Sequence, residues 1–86
     1  MELDDVLTVV ERMGVEVRSE PLGGEGGGLC RLRGKAVLFV DTMADPATRL
    51  RRALEGLMDL PGIEESYLRP DLRDAVDRIR DEQAGE

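Results

Sequence analysis

No histidine or tryptophan occurs in this chain of 86 residues, and cysteine, lysine, phenylalanine and tyrosine occur once each. Without histidine, a Ser-His-Asp or Cys-His nucleophilic site cannot be assembled, and histidine-ligated zinc is excluded with it. The single cysteine, Cys30, rules out both an intrachain disulfide and a CxxC redox pair. Only a carboxylate site for a hard cation stays open, because magnesium and calcium take oxygen ligands and nineteen acids are present.

Long apolar runs are also missing. The longest is Ala36 to Val40, far too short to span a bilayer, and the opening Met1-Glu2-Leu3-Asp4-Asp5 is acidic where a secretory leader is basic. A cytoplasmic location is expected, with no membrane partner. The net charge of −7 argues against nucleic acid, whose contacts need a positive field. That charge is unevenly spread: residues 1–28 hold seven acids and two bases, 29–58 three acids and six bases, and 59–86 nine acids and four bases. A basic middle folded against acidic ends compensates charge within one molecule. The alternative gathers Arg31, Arg33, Lys35, Arg49 and Arg52 into an anion or partner patch. Eleven arginines against one lysine fit the codon bias of a GC-rich bacterium.

What the chain has in quantity is aliphatic side chains, with twelve leucines and eight valines, enough for the core of one small α+β domain over residues 1–86. Leu3, Val6, Leu7, Val10 and Met13 recur at helical spacing, with Asp4 and Asp5 at the positive end and Gly14 as a C-terminal cap. Val15 to Glu20 switches to period two, a short strand ended by Pro21. Asp45-Pro46 opens a helix with a side-chain acceptor followed by proline. Its inward stripe is Leu50, Ala53, Leu54, Leu57 and Met58. Residues 63–68 read as a helical turn or an edge strand. Pro70 opens a last helix to about Glu82, with residues 83–86 a frayed tail. The expected order is α-β-β-β-α-α, a three-stranded antiparallel meander packed by helices.

Two strand-like runs, Leu29 to Leu32 and Lys35 to Asp41, form a hairpin around Gly34. A two-residue turn at Arg33-Gly34 pairs Leu32 with Lys35 and sets Arg31 on the face of Leu38, mixing charge into the core. A bulged turn pairing Arg31 with Lys35 avoids this and is the expected register. It buries Cys30, Leu32, Ala36, Leu38 and Val40. The other face then carries Leu29, Arg31, Lys35, Val37 and Phe39, the expected interaction strip, to be covered by the last helix or by a second copy of the chain.

The segment Gly23-Gly24-Glu25-Gly26-Gly27-Gly28 invites comparison with phosphate loops. Those need a helix directly after the glycines, whereas Leu29 begins a strand, so residues 21–28 are expected to be a flexible connection. Val37-Leu38-Phe39-Val40-Asp41-Thr42 resembles the strand-terminal aspartate of phosphoryl-transfer enzymes of the haloacid dehalogenase type. That motif requires a second aspartate two residues on, where Met43 stands. With no acid-base pair and no ligand cluster at telling spacing, no catalytic, metal or cofactor-binding residue is assigned. The expected function is a non-catalytic acidic interaction or accessory domain, with a protein partner or a homodimer. The alternative is a small-molecule or anion-binding domain using the glycine loop with Arg31, Arg33 and Lys35.

Overall fold

The apolar stripes expected from helical spacing are the faces that become buried. In the computed structural model, which describes residues 1–85, helix α1 spans Leu3–Arg12 and sinks Val6 and Val10 into the core. Its first turn is closed by Asp5, whose Oδ2 accepts from the Glu2 N–H at 2.8 Å. Helix α2, Pro46–Met58, begins where proline follows an acceptor: Asp45 Oδ1 accepts from the Thr48 N–H at 2.8 Å. Ala53, Leu54, Gly56 and Leu57 form its buried side. A 3₁₀ turn at Ile63–Glu65 settles the ambiguous segment and buries Ile63. Helix α3, Pro70–Ala84, buries Leu72, Val76 and Ile79. It runs two residues past its expected end at Glu82, and the last residue of the expected tail, Glu86, lies outside the described residues.

The strands are β1 (Glu16–Glu20), β2 (Gly27–Leu32) and β3 (Lys35–Asp41), ordered β1-β3-β2. Here the structure corrects the antiparallel meander. β1 pairs with β3, not β2, and the pairing is parallel, so the domain is α+β with a mixed sheet. The chain leaves β1 at Glu20, level with Asp41, crosses the end of β3 and returns as β2 on the other side. Two backbone bonds fix the crossing: the Thr42 N–H donates to Glu20 O at 2.9 Å, and the Asp41 N–H to Gly26 O at 3.4 Å.

The hairpin register also differs from expectation. Leu32 pairs with Lys35 and Arg31 with Ala36 across a two-residue turn, in which Arg33 has φ 52° and Gly34 φ 80°. Positive φ at both positions matches the twist of the flanking strands, although it costs a non-glycine residue about 1–2 kcal/mol. The objection that charge would enter the core fails because the helices do not reach this end of the sheet. Arg31 is exposed and donates to Gly34 O at 3.4 Å. β3 keeps its expected faces, and β2 is turned over relative to it.

One face of the sheet therefore carries Val17, Leu29, Ala36 and Leu38 against the helices. α2 packs on β2 and β3, α1 on β1 and α2, and α3 chiefly on α2. Leu38, Leu57, Leu72, Val6 and Val76 are at most 1% exposed and define the centre of the core. No helix of the described residues is long and apolar enough to cross a membrane.

Candidate functional site

Asp41 is the one buried charged or polar residue among the described residues, at 0% exposure, and its position follows from the strand. Period two places it on the side of β3 opposite Leu38 and Val40, where the strand meets the crossing loop. Its Oδ1 accepts from the N–H groups of Leu22 and Met43, both at 2.9 Å. Its Oδ2 accepts from Gly24 at 2.6 Å and Gly26 at 3.1 Å. Burial pushes the carboxyl pKa up, but the four amide donors outweigh it and bring it down from 3.8 to about 2. The group stays ionised, and its acceptor positions are spent on its own backbone.

The glycines make this cradle possible. Gly26 and Gly27 have φ of 101° and 86°, in the left-handed region. A Cβ on Gly26 would lie 2.5 Å from Arg52 Cγ and 2.9 Å from Thr48 Cγ2, and one on Gly27 would collide with the Phe39 carbonyl. The loop expected to be a flexible connection is pinned at three amides, and its last two residues, Gly27 and Gly28, already pair with Val40 and Phe39. Asp41 was singled out in the sequence as a catalytic look-alike; its loop-holding role was missed. The available signal was an acid closing an apolar strand, preceded by a glycine run with no helix to serve.

Half of the basic middle is absorbed by the fold. Arg49 donates to Ala44 O at 2.8 Å and Arg52 to Glu25 O at 3.1 Å, so both tie loops to α2. Arg51 pairs with Glu82 at 3.1 Å, joining α2 to α3, and Arg52 with Glu55 at 2.7 Å. Arg31, Arg33 and Lys35 stay exposed at the hairpin tip, away from the loop amides that Asp41 occupies. Arg69 bonds Asp71 at 2.9 Å and Asp5 at 3.3 Å, bracing the start of α3 against α1. The Glu2 N–H, and after it Arg69, holds the Asp5 carboxyl below its ordinary pKa, and Arg69 does the same for Asp71. Among the described residues no three acids or thiols gather as a metal ion requires.

The five residues of the expected interaction strip divide between the two faces. Leu29 and Arg31 share the helix-packed side with Leu38. Lys35, Val37 and Phe39 lie on the opposite side, beside Cys30 and Leu32 from β2 and Glu16 and Arg18 from β1. Among the described residues no helix packs on that side, and neither Val37 nor Phe39 joins the core that the helices form. Cys30 is exposed rather than inward, a consequence of the same one-residue change of register. Leu32 is 42% exposed and Phe39 is half-buried, while Val37 between them is 1% exposed.

Comparison with protein-family models, with curated proteins and with solved structures finds no match.

Proposed function

We propose that the protein is a non-catalytic interaction domain and that the uncovered side of its sheet meets a second copy of the chain. One observation carries this reading: the helices pack on a single side, leaving Leu32, Cys30 and Phe39 in contact with water. Lys35 and Arg18 stand on the same side as Glu16 and Glu20, so a twofold arrangement sets opposite charges around an apolar centre. The buried carboxylate supports the non-catalytic part, because Asp41 has no lone pair free for substrate once four amides are bonded. An unpaired exposed thiol at Cys30 suits a reducing setting such as the cytoplasm.

Sedimentation equilibrium tests the reading directly. A dimer at micromolar concentration that Phe39→Glu converts into a folded monomer, with its circular dichroism retained, supports it. A parent chain that is monomeric throughout that range contradicts it.

A further inference from the structure

The free edge of β2 carries a second binding feature, distinct from the sheet face. In an antiparallel ladder the backbone groups of alternate residues point away from the partner strand. Leu32 and Lys35 flank the two-residue turn as a bonded pair, and the bond from the Asp41 N–H to Gly26 O continues the same alternation. Residues 26, 28, 30 and 32 therefore face β3, and the N–H and C=O groups of Gly27, Leu29 and Arg31 face outward along the edge.

This edge lacks the usual protection against pairing. β1, the other edge, has charges at three of its five positions and is followed by Pro21, whereas β2 reads Gly-Gly-Leu-Cys-Arg-Leu with one charge and no proline. A groove of about 650 Å³ runs between β2 and α2, with Gly27, Gly28 and Leu29 on one wall and Arg52, Glu55 and Asp59 on the other. A second depression of about 270 Å³ shares Leu29 and Asp59 with it and extends the groove to Arg31. α2 comes this close because residue 56 is glycine: a Cβ there would lie 2.7 Å from Leu38 Cδ1. Arg52 is already engaged by Glu55 and by Glu25 O. The carboxylates of Glu25 and Asp59, both exposed, have no ion-pair partner among the described residues.

We propose that this groove takes an extended segment of a partner protein as a fourth strand on β2, and that the segment alternates basic and apolar residues. The main-chain groups at Gly27, Leu29 and Arg31 select an extended backbone. The side chains of Leu29 and Arg31 point to the α2 side, so every second residue of an added strand does the same; those beside Gly27 and Leu29 meet Glu25, Glu55 and Asp59 and call for lysine or arginine, while the position beside the Arg31 cation does not. The intervening side chains lie beside Cys30 and Leu32 on the open face, which calls for apolar residues. The inference rests on the chain being an interaction domain; it uses the β2 edge and the groove, and meets the surface proposed for self-association only at Cys30 and Leu32.

The probe is an end-capped peptide of alternating valine and lysine, titrated into the full chain and followed by amide NMR, with an alternating valine and glutamate peptide as control. Saturable shifts at Gly27, Leu29 and Arg31 with the lysine peptide, absent with the glutamate peptide, are expected. Glu25→Lys combined with Asp59→Lys should weaken binding by about tenfold while leaving circular dichroism unchanged, because both side chains are exposed. No saturable shift with the lysine peptide, equal binding of both peptides, or shifts confined to β1 overturns the proposal. Repeating the titration on Phe39→Glu separates the two readings: peptide binding by that monomer upholds the groove whatever becomes of the dimer, and loss of binding by a folded Phe39→Glu chain places the peptide on the open face and refutes the groove.

Discussion

Replacing Asp41 by asparagine removes the charge while keeping the shape, which isolates what the carboxylate does for the crossing loop. One oxygen now serves two amides at most, and the new NH₂ group faces two further donors. The side chain can turn either way. The cheaper orientation keeps the bonds to Gly24 and to the buried Gly26 and gives up those to Leu22 and Met43, residues that are themselves exposed. An N–H left without an acceptor costs about 1–3 kcal/mol when dry, and partial access to water for these two brings their joint loss to about 2–3 kcal/mol. For a domain of this size, with a urea slope of about 1–1.5 kcal/mol/M, the midpoint should fall by about 2 M. The pH dependence has a definite sign. With its folded pKa near 2, below the ordinary 3.8, Asp41 stabilises the fold above pH 4, and that stability is lost as pH falls from about 4 to about 2. The gap between parent and Asp41→Asn should narrow across that window. Equal midpoints at pH 7, with unchanged amide exchange at Leu22, Gly24, Gly26 and Met43, would refute the loop-holding role.

Gly27→Ala should prevent folding, because its methyl group meets the Phe39 carbonyl at a φ of 86° that alanine avoids; circular dichroism of the purified chain reads this out. Asp45→Ala removes the acceptor for the Thr48 N–H and should lower the melting temperature by about 5 °C in a calorimetric scan. In the Phe39→Glu monomer Cys30 should react with a thiol reagent at a rate close to that in denaturant, since it is exposed on the single chain. Gly56→Ala should destabilise by about 1–2 kcal/mol in urea, as the added methyl presses on Leu38 Cδ1, unless that leucine turns into free space.

The helices were legible in the sequence because their information is local. Period, Asp45-Pro46 and Pro70 are each read within one or two turns, and all three helices begin within two residues of where those signals lie. Strand partnership was not local. A short strand such as Glu16–Glu20 has few apolar residues with which to choose a neighbour, and the crossing that follows it is held by a buried acid 21 residues beyond its end, bonded to amides that carry no side-chain signal. The register was misread for a related reason. Keeping charge out of the core is sound where a helix covers the face, but the hairpin tip extends past α2, so Arg31 reaches water from the core side. Lys35, Val37 and Phe39 were grouped correctly because they share one strand, and Leu29 and Arg31 were misplaced because their grouping depended on the turn.

The claim that the sheet is the working surface is tested most directly by the concentration dependence of the amide spectrum. Self-association through the uncovered side should shift the resonances of Arg18, Cys30, Leu32, Lys35 and Phe39 between micromolar and millimolar protein, while those of α3 stay fixed. An unchanging spectrum from a chain that sediments as a monomer, or shifts confined to α3, would contradict it.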